Sequence, residues 1–235
     1  MIKTAMILAA GLGQRMRPLT DTLPKPLIAV AGKSMLGRVF EHLENIKVSK
    51  IVVNTHYLAH LIEDYIKTHQ PETVISPEES LLETGGGIKK ALPLLGEEPF
   101  FTLNGDSIWS GGKDLRAMEG AWDGAKMDAL LLVIPREKAH GYEGGGDFFM
   151  AKDGCLLRPE PVQAAPYVYI GVQIVSSPLF QNAPEGPFSM NRLWDKALQQ
   201  NRLYGYVHQG DWFYISTPED LYKYEPIIAE REESL

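Results

Sequence analysis

Up to about residue 134 the chain alternates between short apolar runs and stretches of helical spacing, and this rhythm restricts its fold more than any other feature. Thr4–Leu8, residues 50–54, 73–76, Phe100–Asn104 and residues 128–134 read as strands. Between them, residues 34–45 and 58–69 place apolar side chains at helical intervals. Ser34 is positioned to cap the first of these helices, and Leu36, Val39, Phe40 and Leu43 mark its inner face. A further helix is expected to open at Gly85-Gly86-Gly87-Ile88. Strands alternating with helices imply an α/β fold: a mixed, mostly parallel sheet flanked by helices on both faces. Ligands of such sheets bind beyond the carboxyl ends of the strands.

Past residue 134 the rhythm changes. A glycine-rich stretch, 141–146, precedes strand-like segments 147–151, 155–158 and 167–174, which together read as a lid or a small β-rich acceptor-binding part. Residues 192–201 read as a helix, and 203–208 and 212–216 as strands. Pro218 suits the first position of a last helix, with Glu219 and Asp220 as favourable early acids. The tail at 230–233 is expected to be a solvated end. There are no repeats, low-complexity linkers or clear boundaries, so one domain over 1–235 is expected, with a nucleotide-binding half to about 134 and a sugar-binding half beyond it.

Composition excludes several classes. A net charge of −7 without a broad basic stripe argues against nucleic-acid binding. No apolar run approaches the roughly 20 residues of a membrane span, and the N-terminus has no export signal pattern, so a cytoplasmic protein is expected. The single cysteine, Cys155, rules out an intrachain disulfide, suits a reducing compartment and reads as part of a turn rather than as a nucleophile. His42, His60 and His69 fall on expected helices and read as surface or packing residues.

Against that acidic background the first strand runs into a cationic glycine loop, Gly11-Leu12-Gly13-Gln14-Arg15-Met16-Arg17, followed by Leu23-Pro24-Lys25-Pro26-Leu27. Glycines let backbone N–H groups approach a phosphate closely, and Arg15 and Lys25 add full positive charge. A polyphosphate is the ligand this suits, although a strand followed by Gly-x-Gly also reads, on pattern alone, as an ordinary tight turn. A dinucleotide loop would need a third glycine where Met16 stands, and a Walker loop would need Gly-Lys-Ser/Thr where Arg15-Met16 stands.

Asn104-Gly105-Asp106 lies at the mouth of another strand. The Asp106 carboxylate there reads either as an Asx turn or cap, or as a ligand of Mg²⁺, which takes one or two carboxylates plus substrate phosphates and water. An acid so placed is solvated or partnered by a cation. Glu83-Thr84-Gly85-Gly86-Gly87 would present amides at a helix N-terminus, suited to an anion and to close approach of a flat base, or would simply cap the helix.

These segments, from Leu8-Ala9-Ala10 through Thr20, with Pro24-Lys25-Pro26-Leu27, Glu83–Ile88 and Asn104-Gly105-Asp106, resemble the sugar-1-phosphate nucleotidylyltransferases. Gly146-Asp147-Phe148, Tyr169-Ile170-Gly171-Val172 and the stretch 212–217 extend the likeness over nearly the whole chain. The resemblance implies a Rossmann-like nucleotidyltransferase domain. It implies transfer of a nucleotidyl group from a nucleoside triphosphate to a sugar 1-phosphate, with release of pyrophosphate and with Mg²⁺ as cofactor. The family branch it most resembles implies UTP and N-acetylmuramate 1-phosphate, in cell-wall (peptidoglycan) recycling. Hexose 1-phosphate guanylyl or thymidylyl transfer is the alternative, and a nucleotide-binding module with little catalysis is the alternative of another class. A monomer or weak homo-oligomer is expected.

Carried over position by position, the resemblance implies that Gly11, Gly13 and Arg15 hold the triphosphate and that Lys25 bridges the α-phosphate and the sugar phosphate. Leu8, Ala9, Ala10, Gly85 and Asn104 would line the nucleotide site. Glu83, Asp147 and Gly171 would face the sugar, and Asp106 would hold the metal. Arg15, Lys25 and Asp106 would then carry catalysis. One departure stands out. Where many members have Trp-x-Asp-x-Gly-Thr, with the Asp a second metal ligand, this chain has Trp212-Phe213-Tyr214-Ile215-Ser216-Thr217. A phenol, ionising near pH 10, is a poor Mg²⁺ ligand. Asp211 or His208 could compensate, although strand alternation places neither easily.

Overall fold

The computed structural model describes residues 1–233, with the side chain of Glu233 left out. Seven strands form the central sheet: β1 (Thr4–Leu8), β2 (Lys50–Thr55), β3 (Val74–Pro77), β4 (Phe100–Asn104), β5 (Ala129–Pro135), β6 (Tyr167–Val175) and β7 (Leu203–Val207). Their order is β7-β5-β6-β4-β1-β2-β3. Neighbours are parallel except at β6, which runs antiparallel to both β4 and β5. The mixed, mostly parallel sheet read from the sequence is the one formed.

The described residues form six α-helices: α1 (Met35–Ile46), α2 (Ala59–His69), α3 (Glu83–Leu95), α4 (Asp114–Ala121), α5 (Asn191–Gln199) and α6 (Pro218–Glu233). Ser34 caps α1 as expected, its hydroxyl accepting from the Gly37 N–H at 3.0 Å. Alternation along β1 sends Ala5 and Ile7 into a core shared with α1 and α2, and Met6 into a second core with Ile88 of α3 and Leu193 of α5. A third, smaller core joins Met16, Ile28 and Met35 to Phe213, Leu221 and Ile228, and so seats α6 under the glycine loop. Among the described residues no helix is long and apolar enough to cross a membrane.

Register fixes what the strand ends bring together. Leu8 pairs with Asn54 on one side and with Asn104 on the other, so the carboxyl ends of β1, β2 and β4 finish level. Everything that follows these three strands emerges on one rim.

Several local expectations are corrected. The strand expected over 212–216 is only Trp212–Phe213. Beyond it the Asp220 carboxylate accepts from the Ser216 and Thr217 N–H groups, both at 2.9 Å, and draws the chain into α6. The strands expected at 147–151 and 155–158 shrink to a two-residue hairpin, Phe149–Met150 with Leu156–Leu157. Helix α4 was not legible, because only Leu115 and Met118 of its eight residues are buried. The tail is solvated as expected, with Glu230 and Glu232 exposed, but it is helical: it continues α6, and Glu232 pairs with the buried Arg38. Cys155 is buried and free.

Candidate active site

The level rim of β1, β2 and β4 opens into a cleft of about 700 Å³. The loop after β1 supplies one wall. Gly13 adopts a left-handed conformation (φ +61°), and a Cβ there would lie 2.9 Å from the Thr20 methyl group. Glycine is therefore required by both backbone and space. The Thr20 hydroxyl donates to the Gly13 carbonyl at 2.8 Å and locks the loop. Leu8, Ala9, Ala10, Gly11, Gly13 and Arg15 line this wall. Arg17, by contrast, is exposed and pairs with Asp21 at 3.2 Å, away from the cleft.

The turn after β4 meets the same wall. The Gly105 N–H donates to the Leu8 carbonyl at 2.9 Å, which ties this turn to the end of β1. Asn104 and Asp106 both line the cleft. The Lys25 ammonium, held in a short turn after Pro24, donates to the Asp106 carboxylate at 2.6 Å. Asp106 is thus neither an Asx turn nor a cap: it is the partnered alternative, with a cation 81 residues away in sequence. Its side chain keeps 34% of its surface exposed, so the pair faces the cavity.

The far end is built by residues that the sequence reading missed. Asn54, buried at the end of β2, accepts from the Ala9 N–H at 2.8 Å and donates to Glu78 at 2.7 Å. The other Glu78 oxygen accepts from the Leu82 N–H at 3.0 Å. A buried carboxylate thereby gains two partners and pins the loop before α3 against β1. Asn54, Glu78, Leu81, Thr84, Ser189 and Ser216 all line the cleft. The available signal was a polar residue, Asn54, ending an apolar strand.

The glycines of α3 do other work than expected. The Gly85 and Gly86 N–H groups both donate to the Phe188 carbonyl, at 2.8 and 3.1 Å, so neither amide is free for an anion. A Cβ on Gly85 would run into the Phe188 ring, one on Gly86 would lie 2.5 Å from the Gly186 carbonyl, and one on Gly87 would lie 2.7 Å from Glu78. Close packing of residues 186–188 and Glu78 accounts for the triplet. Gly85 lies behind the wall, whereas Glu83 is on it.

The expected sugar-facing residues are spread out. Gly171 (φ +84°) is buried where a Cβ would press on the Asn104 amide at 2.7 Å, so it stands one layer behind the wall. Asp147 does not line the cleft. Its carboxylate accepts from the Tyr169 N–H at 2.8 Å, and burial raises its pKa.

Neither proposed substitute for the missing second carboxylate reaches this cavity. His208 is buried against Asp114 at 3.0 Å. Asp211 pairs with His140 at 2.8 Å and with Arg231. Among the described residues no group of three or more His, Cys, Asp or Glu could hold a metal ion. Asp106 alone, with phosphate oxygens and water, still makes a donor set that Mg²⁺ accepts.

Comparison with known proteins agrees with this geometry. The chain is 40% identical over 236 residues to N-acetylmuramate alpha-1-phosphate uridylyltransferase of Caulobacter vibrioides, covering 97% of this chain and 98% of that one. It is 35% identical over 218 residues to the enzyme of the same name from Neisseria meningitidis, covering 91% and 93%. Among solved structures, HddC of Yersinia pseudotuberculosis superposes with a TM-score of 0.77 at 24% identity, over 97% of this chain and all of that one. At that identity the match speaks for the fold. The family model for nucleotidyl transferases matches residues 4–143. The chain belongs to the nucleotidyl transferase family, whose sugar-phosphate branch transfers a nucleotidyl group to a sugar 1-phosphate and releases pyrophosphate.

Proposed function

We propose that this enzyme transfers the uridylyl group of UTP to N-acetylmuramate 1-phosphate. The observation that carries the reading is the Lys25–Asp106 pair, lining one cleft together with the Gly11–Arg15 loop. The 40% and 35% identities to uridylyltransferases supply the substrates. Residues up to about 134 bind the nucleotide, with Leu8, Ala9, Ala10 and Asn104 toward base and ribose and Gly85 supporting them from behind. The remainder serves the acceptor sugar, with Glu83 at its edge and Asp147 and Gly171 shaping the loops behind it.

In the proposed reaction an oxygen of the sugar phosphate attacks the α-phosphorus in line. The new P–O bond forms as the bond to pyrophosphate breaks, and pyrophosphate leaves with the electron pair. A phosphate monoester has its second pKa near 6 and is largely ionised at neutral pH, so no general base is required. The protein's part is positioning and charge neutralisation. Arg15 meets the triphosphate and the departing pyrophosphate; Lys25 swings from Asp106 to draw the two reacting phosphates together. A divalent cation, taken here to be Mg²⁺, would be held by Asp106 with phosphate oxygens and would neutralise further charge. The lone, buried thiol of Cys155 suits a reducing, cytoplasmic setting.

The test is pyrophosphate release from UTP, GTP, CTP and dTTP, each paired with N-acetylmuramate 1-phosphate and with hexose 1-phosphates. The expected result is turnover confined to UTP with the muramate ester. Preference for GTP or dTTP with a hexose phosphate would move the assignment to the guanylyl or thymidylyl branch. Nucleotide binding without release in any pair would leave a binding module.

A further inference from the structure

Tyr214 stands where the family pattern has a carboxylate, and the structure gives it a definite partner. The Arg15 guanidinium donates through Nη1 to the Tyr214 hydroxyl at 2.9 Å and sits 5.7 Å from the centre of its ring. The two residues are 199 apart in sequence. Tyr214 itself is held firmly. Its N–H donates to the His140 carbonyl at 2.8 Å, its ring packs edge-on to Tyr142 at 6.0 Å, and it leans on Trp212 at 5.4 Å. Arg15 has no such support of its own: it is exposed, on a three-residue turn.

We propose that Tyr214 is a positioning residue for Arg15, fixing an otherwise mobile guanidinium at the cleft wall so that it meets the triphosphate already oriented. The inference rests on the reading that Arg15 contacts the triphosphate. Two physical points support it. Guanidinium carries five N–H donors, and this bond uses one, so the others remain for phosphate oxygens. An uncharged acceptor also orients the cation without neutralising it. A carboxylate at the same place, wherever it was not engaged by the metal, would form a charge-assisted pair and compete with the phosphates for Arg15. The exchange of carboxylate for phenol thus goes with a site that has one metal-binding acid, Asp106.

The test is binding of UTP by calorimetry to the full chain, in wild type and in Tyr214→Phe, with each repeated in an Arg15→Lys background. Phenylalanine keeps the ring packing against Tyr142 and Trp212, and a thermal midpoint checks the fold. Loss of one net hydrogen bond should raise the UTP dissociation constant about three- to ten-fold, with KM for the sugar phosphate unchanged. In the Arg15→Lys background the Tyr214→Phe change should have no further effect. Wild-type affinity in Tyr214→Phe overturns the proposal. An equal loss in both backgrounds also overturns it, since the hydroxyl would then act without Arg15. Failure of the wild type to bind any triphosphate is a separate outcome: it sinks the underlying reading of the cleft, and this proposal with it.

Discussion

The Lys25 ammonium and the Asp106 carboxylate lie 2.6 Å apart at the mouth of the cleft, each anchored in a different turn beyond the level ends of β1 and β4. This contact makes the two side chains one functional unit. Removing Lys25 takes away a cation and frees the acid; under the proposed function, neutralising Asp106 would weaken both the proposed metal site and the restraint on Lys25. Lys25→Ala and Asp106→Asn should each lower kcat by about 10²- to 10³-fold, the usual effect of losing one transition-state donor. Both side chains border solvent, so thermal midpoints should stay near wild type. Asp106→Asn should also raise the Mg²⁺ concentration needed for half-maximal rate, whereas Lys25→Ala should not. A metal titration of each variant checks this.

Asn54 is the hinge of the opposite end, accepting from Ala9 and donating to Glu78. Asn54→Ala would leave a buried N–H without its acceptor and a buried carboxylate short of a donor. Each such group costs about 1–3 kcal/mol. The expected outcome is a clear drop in thermal midpoint together with a raised KM for the nucleotide, because the strand end at Ala9 forms the cleft wall. Faster hydrogen exchange at the Ala9 amide would locate the damage. A variant with unchanged exchange there would show that the Ala9 N–H finds another acceptor.

The contrast between these two pairs explains what could be read in advance. Strands β1 and β4 were legible to the residue because they are short apolar runs, each ended by a turn signal. The cationic glycine loop and Asp106 were visible as exceptions, cations in an acidic chain and an acid after a buried strand. That Asp106 would be either solvated or partnered by a cation followed from the cost of a lone carboxylate, without a choice between the two; that the loop and the acid would lie at the same strand ends followed from the parallel sheet. The Asn54–Glu78–Ala9 link depends on register, Leu8 opposite Asn54, which no local pattern encodes. The α3 glycines misled for a related reason. Gly85 and Gly86 are constrained by the 186–188 segment, about a hundred residues later, and Gly87 by Glu78, and a glycine needed for contact looks identical to one needed for a phosphate. Tyr214 was recognisable as a departure, but its partner Arg15 was not.

His42 offers a pH signature away from the cleft. Its ring stacks on Trp109 at 3.9 Å, and burial pulls its pKa from 6.5 down to about 4 against the raising effect of Asp114. A histidine kept neutral in the fold but free to charge when unfolded gives stability that is intact above about pH 6.5. That stability is lost as pH falls toward 4, with a ceiling of about 3 kcal/mol. His42→Phe keeps the stacking and removes the titration. Between pH 7 and 4.5 its thermal midpoint should fall less than that of the wild type. Parallel curves for the two proteins would mean that His42 charges without penalty.

Gly85 tests whether the α3 triplet serves packing. Its N–H and that of Gly86 converge on the Phe188 carbonyl, and Ser189, the next residue, lines the cleft. Gly85→Ala should favour an isolated helix by up to about 1 kcal/mol. Here the new methyl would collide with the Phe188 ring and lie 2.9 Å from its carbonyl oxygen. Overpacking of this kind costs about 1–3 kcal/mol, which in a chain of this size is a fall in thermal midpoint of about 2–12 °C. Because Phe188 must retreat and carry Ser189 with it, the KM for substrate should rise along with the loss of stability. Pairing Gly85→Ala with Phe188→Leu, which makes room for the methyl, should recover part of the midpoint. If the two changes simply add, the helix start and the 186–188 segment are not in the contact described, and the triplet has to be explained by something else in the cleft.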